Sequence, residues 1–331
     1  MAPTNDQVDD GKLHDCYDST DPRVNQDLAR QLKGKNIVVA GAGRGVGRAC
    51  AELLSHGSPK SMSLVALERD EVEETASICT AIHSQLQVKT HAFDVQDAEA
   101  VRHFLAEVNS QFGGIDVVLM NAGRPPQWLP TSEGDPQIWW DTVGVSLRGA
   151  YNFSRYALPV MQKQRSGRII FTSSGGAHVN SGISSYILAK LSMIRLAEII
   201  HAENFQEFSI QAFAIHPGAI ATKFYSDFKD KVDGKSTKGN SYVVEGADGE
   251  DKSAQNAVSF LEGGPWDTPY MAAGMVCVLA SGQLDCMSGR YVECSTRIEE
   301  YLEKKDVIVK DDLYRVRLNA GEGGLIPSLD Y

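Results

Sequence analysis

One stretch decides the fold of this chain: Asn36-Ile-Val-Val-Ala-Gly41-Ala-Gly43-Arg-Gly45-Val-Gly47-Arg-Ala-Cys-Ala-Glu-Leu-Leu54. Its first part is a short β-branched run, its middle is rich in glycine, and its last part has apolar residues at helical spacing. The stretch therefore predicts a strand, a tight turn and a helix. Glycines let the backbone approach a pyrophosphate closely, and a helix N-terminus offers unpaired N–H groups to its phosphates. We therefore predict a nucleotide-binding unit.

The glycine spacing differs from the common dinucleotide fingerprint G-x-G-x-x-G, which the stretch matches in no register. It reads instead Gly41-x-x-x-Gly45-x-Gly47. Ordinary strand-to-helix turns also contain glycine, so the interpretation depends on the flanking strand and helix and on residues further along the chain.

Composition excludes several classes of partner. The chain has 331 residues, of which 42% are hydrophobic, enough for one large α/β core. A net charge of −11 argues against nucleic acid and anionic membranes as partners. The six cysteines form no C-x-x-C pair, and no metal site or disulfide framework is predicted. Without a signal core or an apolar run of roughly 18 residues, we expect a soluble cytoplasmic protein.

The rest of the chain alternates predicted strands with predicted helices. This alternation indicates an α/β fold with a Rossmann-type, doubly wound, seven-stranded parallel sheet flanked by helices. After the opening strand, the strands are predicted at 62–70, 88–95, 114–123, 168–176, 209–215 and 289–294. After the opening helix, the helices are predicted at 71–85, 98–112, 137–161, 185–202 and 269–280. Ligands bind such sheets at the carboxyl ends of the strands.

The end of the second strand carries both signs of charge. Glu68 lies 21 residues past Gly47, where a carboxylate accepts hydrogen bonds from the adenosine ribose of NAD. Arg69 beside it and Arg44 in the glycine turn are able to pair with the extra phosphate of NADP. The cofactor is therefore predicted as NAD(H) or NADP(H), with the preference left open.

Three parts of the chain are predicted from composition. Residues 1–34 form a polar extension, mobile at its start, and residues 35–295 form a single dinucleotide-binding domain. Within that domain, residues 224–264 have little periodicity and are interpreted as a lid over the cofactor site rather than a disordered loop. Residues 296–331 form a tail of mixed character.

Six marks, in order, resemble the short-chain dehydrogenase/reductase family over roughly residues 35 to 294. They are the glycine turn, Asp94-Val95, Asn121-Ala122-Gly123, a serine ending the fifth strand, Tyr186-x-x-x-Lys190, and Pro217-Gly218 followed by Thr222. The resemblance implies an NAD(P)-dependent oxidoreductase acting on a small carbonyl or alcohol. The C-terminal half is also similar to fungal members, many of which belong to secondary metabolism.

The resemblance also implies a catalytic set. Tyr186 is expected to be the general acid or base, on the same helix face as Lys190, whose ammonium is expected to lower the phenol's pKa. Ser174 is expected to hydrogen-bond the substrate oxygen, with Ser173 as the alternative. Tyr225-x-x-x-Lys229 and Tyr301-x-x-x-Lys305 match the same pair by chance, because neither follows a serine-tipped strand.

One departure from the family keeps a second function open. Ser146 occupies the position of an asparagine that is thought to hold a water on the proton path to the lysine. A hydroxyl is shorter than an amide and presents fewer hydrogen-bonding groups. The alternative function is therefore a family fold repurposed for non-redox chemistry or for sensing dinucleotides.

The predicted site and assembly are as follows. The catalytic set is Ser174, Tyr186, Lys190 and Ser146. The cofactor set is Gly41, Gly43, Arg44, Gly45, Val46, Gly47, Glu68, Arg69, Asp94, Val95, Asn121, Ala122, Gly123, Tyr186, Lys190, Pro217, Gly218 and Thr222. Aromatic residues that border the site in relatives suggest a bulky apolar or aromatic substrate: Trp128, Trp139, Trp140, Trp266 and Phe224. The two long helices, predicted at 137–161 and 185–202, pair across a two-fold axis in relatives. We therefore predict a homodimer or homotetramer.

Overall fold

The structure is a computed structural model that describes residues 12–127, 129–178, 182–222, 225–226, 229–230, 233, 258–259 and 262–318. The segment predicted to be mobile at the start of the chain lies outside the described residues, as does most of the predicted lid. Trp128 and Phe224 also lie outside them.

A seven-stranded sheet forms the centre of the molecule. The strands are β1 (Asn36–Ala40), β2 (Ser61–Ala66), β3 (Gln87–Ala92), β4 (Val117–Met120), β5 (Gly167–Thr172), β6 (Ile210–His216) and β7 (Arg290–Glu293). Their order is β3-β2-β1-β4-β5-β6-β7, and each neighbouring pair is parallel. The predicted α/β fold with a doubly wound parallel sheet is confirmed. The order reverses between β1 and β4, which is where ligands bind in this architecture.

Helices cover both faces of the sheet, because its central strands are buried on both sides. The helices of the described part are α1 (Gln26–Leu32), α2 (Gly45–Ser55), α3 (Arg69–Ile82), α4 (Ala98–Phe112), α5 (Pro136–Val143), α6 (Gly149–Gln164), α7 (Ser184–Phe208), α8 (Pro269–Ser281), α9 (Ile298–Glu303) and α10 (Lys305–Lys310). Residues of α2 and α8 belong to the core on one face, and residues of α4, α6 and α7 to the core on the other. None of these described helices is long and apolar enough to cross a membrane.

The helix predicted at 137–161 differs from the structure in its middle. A π-helical turn at Gly144–Arg148 separates α5 from α6. Such single turns insert a residue into an α-helix and recur at functional sites. Ser146 lies inside this turn, and its side chain is fully buried.

Both ends of the described chain pack onto the sheet domain. Leu28 and Leu32 of α1 are fully buried, because their four-residue spacing places both on one helix face. Near the other end, the Tyr301 hydroxyl donates to the carbonyl of Glu293 at 3.2 Å and accepts from its N–H at 2.9 Å. Glu198 of α7, also buried, accepts from the Val316 N–H at 2.7 Å. The packed structure therefore includes residues on both sides of 35–295.

Candidate active site

The glycine turn has the close packing that a dinucleotide site requires. A Cβ atom at Gly47 would collide with the carbonyl oxygen of Gly41, so α2 approaches the turn as closely as its backbone allows. Helix α2 begins at Gly45, and the residue before it, Arg44, makes no side-chain hydrogen bond to the first turn. The first N–H groups of α2 therefore receive no side-chain cap from Arg44, which fits the binding of a pyrophosphate.

Neighbouring side chains hold the turn in place. Arg48 donates to the carbonyl of Gly43 at 2.6 Å, and Thr75 donates to that of Ala42 at 2.9 Å. Asn121, at the end of β4, donates to the carbonyl of Gly41 at 3.1 Å. The Asn121 side chain also accepts from the Thr172 hydroxyl at 3.1 Å, so it links the turn to β5. The structure thus gives Asn121 a supporting position beneath the cofactor site.

The adenosine end of the site keeps both signs of charge. Glu68 is exposed just past β2. Arg69 is 61% exposed and pairs with Glu73 at 3.6 Å, whereas Arg44 pairs with Glu71 at 3.4 Å. Glu68 thus lies at the strand end where the sequence places it, and Arg44 and Arg69, the predicted phosphate-binding residues, both have carboxylate partners.

Hydrogen bonds also hold the turn after β3, which contains Asp94 and Val95. Asp94 is exposed and accepts from the Gln96 N–H at 2.9 Å. Val95 is buried, and its carbonyl accepts from the Asn152 side chain of α6 at 3.0 Å. Asp94 and Val95 therefore lie at the sheet edge where the sequence pattern predicts them.

Tyr186 and Lys190 lie together on the first turns of α7. The Nζ atom of Lys190 is 5.5 Å from the centre of the Tyr186 ring. It also donates to the carbonyl of Thr172, the last residue of β5, at 2.7 Å. Burial lowers the pKa of Lys190 to about 8, because the ammonium has lost its water. The predicted pair is thus brought to the carboxyl end of the central strands.

The pKa of Tyr186 does not follow the expectation. Burial raises it, and a hydrogen bond with Ser174 opposes that rise. The expected lowering of the Tyr186 pKa by Lys190 is wrong. The reason is that desolvation of a buried phenol disfavours its anion, and this effect outweighs the neighbouring groups.

Hydrogen bonds distinguish the two serines after β5. Ser173 is buried, and its hydroxyl donates to the carbonyl of Lys190 at 2.8 Å. Ser174 accepts from the Gly176 N–H at 3.0 Å, on the side where it meets Tyr186. Ser173 therefore braces α7 against β5, and Ser174 is the serine that faces the phenol.

Ser146 faces the same space as Lys190. A Cβ atom at Gly123 would lie 3.5 Å from the Lys190 Nζ and 3.9 Å from the Ser146 Oγ. This Oγ is buried and has no hydrogen-bond partner among the described residues. The π-helical turn thus directs a buried hydroxyl toward the ammonium.

His216, the residue before Pro217, belongs to the site although no sequence pattern predicts a role for it. Its Nδ1 accepts from the N–H of Gly175 at 3.0 Å and from that of Gly218 at 3.4 Å. It thereby ties the loop after β5, which carries Ser174, to the loop after β6. Burial lowers the pKa of His216 to about 4, so the imidazole is neutral and able to accept. Its place directly before Pro217 was the available signal.

The loop after β6 returns to the glycine turn. Pro217 and Gly218 lead to Thr222, whose methyl carbon lies 3.2 Å from the position of a Cβ atom at Gly45. The last predicted cofactor residue therefore stands beside the first turn of α2.

A cavity of about 210 Å³ lies beside the start of α7. Its apolar walls are formed by Trp139, Trp140, Pro130 and Pro136. Ser184, the first residue of α7, also lines it. Trp139 donates through its ring nitrogen to the Ser184 hydroxyl at 2.9 Å, two residues before Tyr186. This cavity therefore adjoins the first turn of α7, which carries Tyr186.

The other predicted aromatic residue and the two chance Tyr-Lys matches lie elsewhere. Trp266 packs against Tyr225 with 4.5 Å between ring centres, and the Tyr225 hydroxyl donates to Glu262 at 3.0 Å. Tyr301 is occupied by the backbone of Glu293. Among the described residues, neither tyrosine has a serine partner of the kind that Tyr186 has in Ser174.

Comparison with known proteins identifies the family. The model of the short chain dehydrogenase family matches residues 35–233. The chain belongs to this family. Short chain dehydrogenase citE of Monascus ruber is 29% identical over 306 residues, which cover 91% of this chain and 94% of that protein. Short chain dehydrogenase andI of Emericella variicolor is 26% identical over 86% of this chain and 90% of its own length.

The short-chain dehydrogenase fold is also found in a solved structure similar to this one. Levodione reductase has a TM-score of 0.68 at 24% identity, with 79% of this chain and 96% of that chain covered. The protein is therefore an oxidoreductase of this family and of the fungal type, as predicted. Within the described residues, no group of three or more His, Cys, Asp or Glu side chains is arranged to hold a metal ion.

Proposed function

We propose that this protein is an NAD(P)-dependent ketoreductase or secondary alcohol dehydrogenase in which Tyr186 moves the proton. The observation that carries the proposal is the grouping of Tyr186, Ser174 and Lys190 at the carboxyl edge of the central strands. A bound nicotinamide supplies or accepts the hydride. The glycine turn, Asn121 and Thr222 would hold the dinucleotide. The lack of a side-chain cap at the start of α2 supports that fit.

In the reductive direction the Tyr186 hydroxyl donates its proton to the carbonyl oxygen as negative charge develops there. Ser174 donates a hydrogen bond to the same oxygen and stabilises that charge. Because burial raises the pKa of Tyr186, the phenol is protonated at neutral pH. An alkoxide is far more basic than a phenolate, so the transfer is favourable.

Lys190 and Ser146 are proposed to return a proton to Tyr186 after it has donated its own. The lysine ammonium stands beside the Tyr186 ring, and a phenolate formed there gains its attraction. The Ser146 Oγ, buried and without a partner in the described part of the chain, faces the same space over Gly123. A hydroxyl both donates and accepts, which a relay requires. We propose that Ser146 does the work of the usual asparagine.

The proposed substrate is a small carbonyl or alcohol compound with a bulky apolar or aromatic part. Support comes from the Trp139 and Trp140 cavity next to Tyr186. Its volume of about 210 Å³ is below the roughly 300–1,000 Å³ of a complete ligand site, which suits one part of the substrate. The place of this reaction in secondary metabolism stays a prediction, as do the cytoplasmic location and the lack of nucleic-acid and membrane partners.

Helices α6 and α7 support the proposed homodimer or homotetramer. Large apolar side chains on them are exposed in the single chain: Tyr151 at 56%, Leu188 at 47% and Ile199 at 42%. Contact with a second copy would cover such side chains. A strictly monomeric mass by light scattering at micromolar concentration would contradict this assembly.

Dinucleotide binding and turnover test the proposed function together. Calorimetric titration should give saturable binding of NADH or NADPH, and a panel of ketones should produce a loss of absorbance at 340 nm. No binding of either dinucleotide at millimolar concentration would disprove the proposal. Saturable binding without turnover on any ketone or alcohol would favour the repurposed fold, for which Ser146 in place of asparagine is the specific observation.

A further inference from the structure

In the N-terminal segment of residues 12–21, His14 contacts Asp267, whose side chain in turn contacts the loop after β6. The Nδ1 of His14 donates to the Oδ1 of Asp267 at 2.7 Å, and the two side chains are only 11% and 9% exposed. The other oxygen of Asp267 accepts from the N–H of Ala219 at 2.6 Å. Ala219 directly follows the Pro217-Gly218 pair. The Asp267 carboxylate therefore links His14 to the loop after β6.

Backbone hydrogen bonds fix both ends of this connection. The N–H of Thr268 donates to the carbonyl of His14 at 2.8 Å, and the N–H of Leu13 donates to that of Ser295 at 3.1 Å. The N–H of Asp267 donates to the carbonyl of Ala219 at 2.8 Å. The segment thus runs against the start of α8 and the end of β7, and His14 has a defined position there.

The path of the loop depends on Asp267. Gly218 has a φ of +100°, and a Cβ atom there would collide with the Asp267 carboxylate. The loop therefore passes over the carboxylate in a conformation that only glycine adopts without strain. At its far end the loop brings Thr222 beside the first turn of α2. The position of Asp267 thus constrains the loop at Gly218 and Ala219.

We propose that His14 is a positioning residue for the dinucleotide: through Asp267 it holds loop 217–222 in its binding conformation. The inference rests on the proposed function. The Asp267 side chain is only 9% exposed, so loss of the His14 hydrogen bond favours its turning toward water. That rotation releases the Ala219 N–H. Fewer molecules then have loop 217–222 in its binding conformation. The apparent dissociation constant of the dinucleotide rises as that fraction falls.

Replacement of His14 tests the proposal. In the full-length chain, His14→Ala should raise the dissociation constant for NADH or NADPH, measured by calorimetry, about tenfold. The KM for the dinucleotide should rise with it, whereas kcat should stay within about threefold because His14 touches no reacting atom. His14→Asn should restore binding, since the amide nitrogen of asparagine occupies the place of Nδ1.

Tyr17→Phe is the matched control from the same segment. The Tyr17 hydroxyl donates to Glu299 at 2.7 Å and accepts from the N–H of Ile298, away from loop 217–222. Its removal loosens the docking of the segment without touching Asp267. We expect a lower melting temperature and an unchanged dissociation constant for the dinucleotide.

The outcomes separate the possibilities. If His14→Ala binds the dinucleotide within twofold of the wild type, the positioning role is wrong and the contact is structural. If Tyr17→Phe weakens binding equally, segment docking as a whole is responsible and the specific role of His14 is likewise wrong. Should His14→Ala fail to fold, His14→Gln, whose amide is displaced by one methylene, should bind more weakly than His14→Asn; equal binding would overturn the proposal. A wild type that binds neither dinucleotide disproves the proposed function itself.

Discussion

Replacing Tyr186 with phenylalanine removes one oxygen from the centre of the proposed mechanism. The ring keeps its packing beside the Gly176 backbone, where a Cβ atom would lie 3.2 Å from its edge, and its place beneath the Lys190 ammonium. The lost hydroxyl gives up a hydrogen bond with Ser174, but it also no longer has to be desolvated. The free energy of unfolding should therefore change by only about 1 kcal/mol.

The effect on catalysis should be much larger. A positioned general acid contributes roughly 10²–10⁴ in rate, which corresponds to about 3 to 5 kcal/mol of activation free energy. In Tyr186→Phe, the protons remaining near the carbonyl oxygen are those of Ser174, an alcohol of much weaker acidity, and of water. Dinucleotide affinity should stay within about threefold, because Lys190 and the glycine turn are intact.

Single-turnover loss of absorbance at 340 nm, with the reduced dinucleotide saturating, isolates the chemical step. Tyr225→Phe is the matched control, since its hydroxyl bonds only Glu262 among the contacts described above and should leave the rate unchanged. Near-normal single-turnover rates for Tyr186→Phe would refute the proton-donor role. Equal losses in both variants would show that the assay reports stability rather than proton transfer.

Three further outcomes are expected. Lys190→Ala should lower kcat and raise the KM for the dinucleotide together, measured by steady-state kinetics, because the ammonium serves the phenol and would also hold the ribose; a change in kcat alone would contradict the second role. Glu68→Ala should shift the ratio of kcat/KM toward NADPH, because it removes the charge that repels the extra phosphate. The free energy of unfolding, from urea titrations, should fall as the pH drops from 6.5 toward 4. Burial lowers the pKa values of His201 and His216 to about 4 from the ordinary 6.5, so over that range the unfolded chain binds protons that the folded chain refuses; equal stability at pH 7 and pH 5 would contradict this reasoning.

The sequence by itself determined the architecture and the position of the glycine turn. Both follow from local patterns, because β-branched runs, helical spacing and glycine act over a few neighbouring residues. The spacing from Gly41 to Gly47 and the four-residue step from Tyr186 to Lys190 are not specific alone, and each is interpreted together with the strand and helix that flank it. The family follows from the order of such patterns, and comparison confirmed it over residues 35–233.

The tertiary structure alone decided which groups meet across the fold. Ser173 and Ser174 are adjacent in sequence, and no local pattern distinguishes them. In the structure the Ser173 hydroxyl donates to the carbonyl of Lys190 at 2.8 Å, so it does not face Tyr186 as Ser174 does. The pKa of Tyr186 rises because burial, which no local pattern specifies, outweighs the hydrogen bond with Ser174. The contact of His14 with Asp267 joins residues separated by 253 positions. Hydrogen-bond partners and desolvation depend on where distant segments come to lie, and packing of the whole chain sets that.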